Sequence, residues 1–216
     1  MASFEVKASA NGLDWAPWGF GMRLACVTSA GNLHTIWKEG SKWEHVEFDC
    51  EDNVLNAVNW GPANNVNNFL YPKNNDKVKQ MLVTGGCKGD LTIWEIYKDG
   101  GTLCHNKVYT IEKCHSNWIR DVSWSSNSFL GGYIIATASE DRSFKIFEIE
   151  RKGETWSHEE KVMINLASPV WRVKWNYSGN LLAVGSTSNE GVNLVQVYHE
   201  DNSGEWKVLH DLKKPD

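Results

Sequence analysis

Ser139, Asp141 and His115 are the three side-chain types of a nucleophile–base–acid relay, and the chain carries them within 27 residues. A Ser–His–Asp hydrolase needs more than their presence, because geometry and roles define the triad. Ser139 stands in Ala138-Ser139-Glu140-Asp141, without the glycine-flanked elbow that presents a nucleophile. The reading favoured here is structural, a buried polar network whose members satisfy one another. Cys104-His105 and Cys114-His115 raise zinc, but their spacing matches no finger or ribbon pattern. Gly85-Gly86-Cys87-Lys88-Gly89-Asp90 is glycine-rich but lacks the Gly-Lys-Ser/Thr ending of a phosphate loop and reads as a turn between strands. Glu44, Glu47, Asp49, Glu51 and Asp52 form an acidic cluster that reads as a solvated edge. No catalytic residue, metal ligand or cofactor is expected.

The bulk numbers agree with a binding or structural role. The 216 residues fit one domain or part of one, 41% are hydrophobic, and tryptophan occurs 12 times. The net charge of −5, with no Lys/Arg-rich run, argues against a nucleic-acid partner. No apolar run is long enough to span a bilayer, so direct membrane insertion is not expected. The first residues, Met1 to Lys7, have no apolar core and do not read as a signal peptide. Five cysteines form no dense framework, and reduced thiols are the simplest reading.

The elements that must position these groups are strands. Leu13-Asp14-Trp15, Val58-Asn59-Trp60, Val122-Ser123-Trp124 and Val173-Lys174-Trp175 repeat an apolar–spacer–tryptophan pattern. A β-rich run follows each, at Leu24–Thr28, Met81–Thr84, Ile134–Thr137 and Leu181–Val184. A small or polar turn then leads to a third strand ending near Trp37, Trp94, Phe147 or Val197. A more polar fourth strand often opens on tryptophan, at Trp43, Trp156 and Trp206. Short alternating runs punctuated by Gly, Asn and Asp mean antiparallel strands. Four strands recurring about every 40–45 residues is the propeller period. The fold expected is all-β, a propeller of four blades with repeats at about 8–50, 53–111, 115–160 and 168–210. Residues 64–79 are expected to form a polar loop, and no helix longer than two turns is expected. Trp15, Trp60, Trp124 and Trp175 are expected in the core, where large aromatics fill sheet-on-sheet packing.

The third and fourth repeats carry a closer likeness. His115-Ser116-Asn117-Trp118-Ile119-Arg120-Asp121-Val122-Ser123-Trp124 and Val170-Trp171-Arg172-Val173-Lys174-Trp175-Asn176, followed by Ser178-Gly179-Asn180-Leu181-Leu182-Ala183-Val184, are similar to one family. It is the family of small WD-repeat subunits of the COPII outer coat, shared with the Y-shaped scaffold of the nuclear pore. Asn56-Ala57-Val58-Asn59-Trp60 and Leu13-Asp14-Trp15-Ala16-Pro17 fit its middle repeats. The resemblance implies a six-bladed, incompletely closed propeller that is not an enzyme. Its implied partners are the large outer-coat subunit, which donates a further blade, and a Y-complex nucleoporin. Its implied places are the cytoplasmic face of ER-derived COPII vesicles and the nuclear pore. A related WD-repeat nucleoporin or another WD-repeat adaptor is the alternative.

Within that resemblance His115, Ser139 and Asp141 match the hydrogen-bonded tetrad of WD repeats, with Asp141 accepting from His115 and His115 linked to Ser139. Phe147 replaces the usual tryptophan, so the last bond should be missing. Trp171 stands where the other repeats have Arg120, Asn56 and Asn11, which makes Trp171 and Arg172 a candidate contact with a partner or a neighbouring blade. The four repeats match the family's third to sixth. The expectation is an open arc that self-associates through faces lined by residues such as Leu13, Leu24 and Ile36.

Overall fold

The computed structural model describes residues 3–63, 80–127, 132–187 and 190–211. The expected polar loop 64–79 lies outside the described residues. The chain forms two compact units, Met1–Cys114 and His115–Asp216. Each unit holds two four-stranded antiparallel sheets of consecutive strands.

In the first unit, blade 1 is β1 (Ala10–Trp15), β2 (Arg23–Thr28), β3 (Asn32–Glu39) and β4 (Lys42–Asp49). Blade 2 is β5 (Leu55–Trp60), β6 (Gln80–Gly86), β7 (Leu91–Asp99) and β8 (Thr102–Ile111). In the second unit, blade 3 is β9 (Ile119–Trp124), β10 (Gly132–Ser139), β11 (Ser143–Lys152) and β12 (Thr155–Asn165). Blade 4 is β13 (Val170–Trp175), β14 (Leu181–Thr187), β15 (Asn193–Glu200) and β16 (Trp206–Asp211). The fold is the all-β WD-repeat propeller class, with four blades. The helical residues among those described are the single 3-10 turn Trp18–Phe20.

Register aligns the blades residue by residue. Trp15, Trp60, Trp124 and Trp175 pair with Leu24, Leu82, Ile135 and Leu182 of the second strands. Those second-strand residues pair with Ile36, Trp94, Phe147 and Tyr198 of the third. This corrects the sequence reading, which grouped Trp37 and Val197 with Trp94 and Phe147. The tight turn explains blade 1: a residue at positive φ lies five before the paired one, at Gly31, Gly89 and Arg142. Blade 4 differs because its β14–β15 hairpin continues to Thr187↔Asn193, two pairs beyond the matching end in blades 2 and 3.

Each unit's core lies between its two sheets. In the first unit Ala25, Val27 and Leu33 of blade 1 meet Leu55, Val58, Trp60, Leu82 and Trp94 of blade 2. In the second, Ala136, Ala138, Phe144 and Ile146 meet Val170, Val173, Trp175, Leu182 and Tyr198. Trp60, Trp124 and Trp175 are buried, as expected, but Trp15 is 56% exposed. Trp60 and Trp175 are covered by the blade that precedes their own, and blade 1 is the first of the four.

Candidate functional sites: the His115 network and the inner-strand edges

His115 sits in the turn entering β9, and Asp141 in the β10–β11 hairpin beside it. His115 Nδ1 lies 2.9 Å from Asp141 Oδ2, and its Nε2 lies 2.7 Å from Thr137 Oγ1. Asp141 is held from several sides. Ser143 donates its hydroxyl at 2.6 Å and its N–H at 3.0 Å to Oδ1, and the Ser116 N–H reaches Oδ2 at 3.1 Å. Burial pushes the Asp141 carboxyl up, but the hydrogen bonds from His115 and Ser143 outweigh it and hold the group well below the usual carboxylate range.

The hydroxyl on the imidazole is therefore that of Thr137, where the sequence reading placed Ser139. Ser139 Oγ instead faces the Trp118 carbonyl at 3.0 Å and the Asn117 carbonyl at 3.3 Å, and accepts the Asp141 N–H at 3.1 Å. It locks the turn and joins the network only through the Asp141 backbone. The Asp141–His115–Thr137 line has the connectivity of a proton relay, but Thr137 is 0% and His115 2% exposed. No substrate carbonyl can reach that hydroxyl, so the arrangement can hold a blade together and cannot present a nucleophile.

Blade 2 carries the complementary half. The Trp94 indole N–H donates to Thr84 Oγ1 at 2.9 Å, and Thr84 holds the place of Thr137. Glu51 stands nine residues before Trp60, as His115 stands nine before Trp124. Lys88 holds the place of Asp141 and lies 3.8 Å from Glu51 and 2.5 Å from Asp52. Acid and base have exchanged positions. Blade 3 thus keeps the His–Asp–Thr end of the network, and blade 2 keeps the Thr–Trp end.

The second candidate site is the inner edge. Asn11, Asn56, Arg120 and Trp171 are equivalent: each is the extra residue at a bulge in the first strand of its blade. In the second unit this builds a cluster. The Arg120 guanidinium lies 4.8 Å from the Trp118 ring and 5.4 Å from the Trp171 ring, and its Nε donates to Glu140 at 2.8 Å. Trp171 donates its indole N–H to Thr187 at 3.2 Å and remains 41% exposed. Arg172 Nη1 donates to the Trp171 and Arg120 carbonyls at 3.1 and 3.4 Å. Trp171 therefore touches the neighbouring blade on one side and solvent on the other.

Inside each unit the first strands also clamp the two blades. Asp14 Oδ2 accepts the Trp60 N–H and the Asn59 amide, both at 2.7 Å, and the Trp60 indole donates to the Asp14 carbonyl at 3.1 Å. Ser123 repeats the device. Its Oγ accepts the Trp175 N–H at 3.2 Å, and its carbonyl accepts the Trp175 indole at 3.1 Å. Asp121 Oδ2 takes the Val173 N–H at 3.1 Å, and burial raises this carboxyl above its ordinary range. Sequence reasoning missed these clamps. Their signal was a residue able to accept a hydrogen bond directly before the repeated tryptophan.

Residues 105–148 match the family model for the WD domain, G-beta repeat, a span that contains His115, Thr137 and Asp141. The chain is also similar along 96% of its length to three fungal proteins named protein transport protein sec13. Identity is 31% to that of Aspergillus fumigatus, 30% to that of Emericella nidulans and 31% to that of Aspergillus clavatus. The matches cover 64%, 64% and 67% of those relatives. The chain belongs to the SEC13 family. It spans 64% of the length of the first two relatives. The SEC13 match runs through all four blades, so the clamps and the bulge residues lie within it. No helix among the described residues is long and apolar enough to cross a membrane.

Proposed function

We propose that this chain is a non-enzymatic scaffold of the COPII vesicle coat, acting in ER-to-Golgi protein transport, and of the nuclear pore. Its four blades belong to one propeller and bind a larger partner, the large outer-coat subunit or a Y-complex nucleoporin, that donates a further blade. The observation that carries this reading is similarity along 96% of the chain to proteins named for protein transport. The clamped blades support it: a scaffold needs stiffness, and the polar networks here are spent on fixing strand to strand. In this reading His115, Thr137 and Asp141 stiffen blade 3, while Trp171 and Arg172 contact the partner.

Co-purification tests it. The tagged chain should bring down the large outer-coat subunit or a Y-complex nucleoporin from its own cells, and recovery of neither overturns the reading. Trp171→Ala, with its fold verified, should weaken that recovery; unchanged binding removes Trp171 from the contact.

A further inference from the structure

Blade 3 offers blade 4 an edge of hydrogen-bond acceptors: Asp121 and Ser123 take the backbone N–H groups of Val173 and Trp175. Blade 1 does the same for blade 2 through Asp14. The equivalent edge of blade 4 has the opposite chemistry. Arg172 holds the place of Asp121, three residues before the tryptophan, and Lys174 holds the place of Ser123 and Asp14, one before it. Both are exposed, and among the described residues neither forms an ion pair with a carboxylate. The nearby Asp121 feels both charges, but its oxygens are occupied by the Val122 and Val173 amides.

The face behind that edge is built like the faces that carry a neighbour. Ala25, Val27 and Leu33 on blade 1 and Ala136, Ala138 and Phe144 on blade 3 are all 0% exposed beneath the next blade. Their counterparts on blade 4 are Ala183, Gly185 and Val195. Ala183 and Gly185 are half-buried and Val195 is 46% exposed. The surface is small and apolar; Lys174 borders its inner side, and Arg172 lies at the same edge with its guanidinium reaching back to the Arg120 carbonyl of blade 3 at 3.4 Å.

We infer that this face docks a β-blade supplied by another polypeptide, whose inner strand sets Asp or Glu side chains opposite Arg172 and Lys174. The inference rests on the blade-accepting reading above and adds the chemistry that selects the blade. Blades of this chain's own kind fit poorly. Trp60 and Trp175 bring bare N–H donors to this position, and a second copy would bring that of Trp15 in the same register. Donors facing donors lose the clamp and leave two cations to be covered without a counter-charge. An acidic strand turns the same contact into charge-assisted hydrogen bonds, so the edge discriminates by repulsion as well as attraction.

Binding of the full chain to the purified large outer-coat subunit tests this. The parent should bind with an affinity that falls as salt rises. Arg172→Asp/Lys174→Ser should bind at least tenfold more weakly with an unchanged melting temperature, and Arg172→Lys/Lys174→Arg should bind like the parent. A carbodiimide should join Lys174 to a partner carboxylate as an amide, located by mass spectrometry. Binding of the Asp/Ser variant equal to or tighter than the parent's overturns the inference and leaves the coat reading standing. Failure of the parent to bind overturns the coat reading instead, and sedimentation of the chain alone then decides the edge. Arg172→Asp/Lys174→Ser restores the acceptors and should self-associate at a concentration at least tenfold lower than the parent. Equal association of the two overturns the inference.

Discussion

At the scale of single residues, Asp141 and Asp121 are both partly buried carboxylates, and they should respond to pH in opposite directions. Asp141 is held below its ordinary range, so its contribution is complete above about pH 4, the ordinary carboxylate value, and is lost as pH falls through the lower folded value. Asp141→Ala should cost about 1–3 kcal/mol at neutral pH, because His115 loses a buried acceptor. Urea unfolding at pH 7 and at pH 3 checks this, with the difference shrinking at the lower pH. Asp121 is raised by burial, so the folded state favours its protonated form, and its contribution is lost as pH rises through the raised folded value. Asp121→Asn keeps an oxygen for the Val173 N–H and removes the buried charge. It should be at least as stable as the parent at pH 7, with the gap closing toward pH 4.

One bond of this network, His115 to Asp141, was implied by the resemblance to the WD-repeat tetrad. The hydroxyl was not legible. Thr137 and Ser139 are two apart on one strand, and alternation places both on the same face. The bulge at Arg120, opposite the step from Ala138 to Ser139, decides between them by leaving Ser139 under the Asn117 and Trp118 carbonyls. Trp15 failed for a different reason. Its residue type and position match those of Trp60 and Trp175, but burial depends on the blade in front, which no property of the residue itself records.

At the scale of the element, the tight turns between second and third strands control how closely successive blades approach. Gly31 has φ 84°, and a Cβ there would meet the Glu51 carbonyl oxygen at 2.0 Å and the Asn53 carbonyl oxygen at 2.6 Å. Gly31→Ala therefore suffers twice, from the left-handed backbone, at about 1–2 kcal/mol, and from backbone that cannot move aside. It should destabilise the first unit by more than about 2 kcal/mol by denaturant unfolding. Arg142 occupies the same turn position in blade 3 at φ 70°. Arg142→Gly relieves that backbone but loosens the unfolded chain by about 0.4–1 kcal/mol. Its net effect should be a stabilisation of no more than about 1 kcal/mol. Equal effects of the two substitutions would mean that the approach of Glu51 and Asn53 contributes nothing. The strands and turns were readable from period and punctuation. The third-strand register of blades 1 and 4 was not, because Trp37 and Val197 are as apolar as the residues beside them.

At the scale of the molecule, the apolar surface gathers at particular places. Leu13, Trp15, Trp18 and Met22 lie in β1 or the turn after it and are 62%, 56%, 80% and 55% exposed. Exposed aromatics so close together in the chain mark a surface that seeks a cover. Trp15→Ser/Trp18→Ser should reduce concentration-dependent association in sedimentation velocity without lowering the melting temperature of the second unit. Association unchanged by the pair would place the sticky surface elsewhere.

The clamps have one more consequence. The amides of Trp60, Val173 and Trp175 donate to the side chains of Asp14, Asp121 and Ser123 on an adjoining sheet, and not to a strand of their own. Fraying of a sheet alone would not release them, whereas parting of two blades would. Their deuterium uptake is therefore a clock for blade separation, distinct from the local openings reported by amides inside the ladders. If a load on the assembled protein pries neighbouring blades apart, these three protons should exchange first.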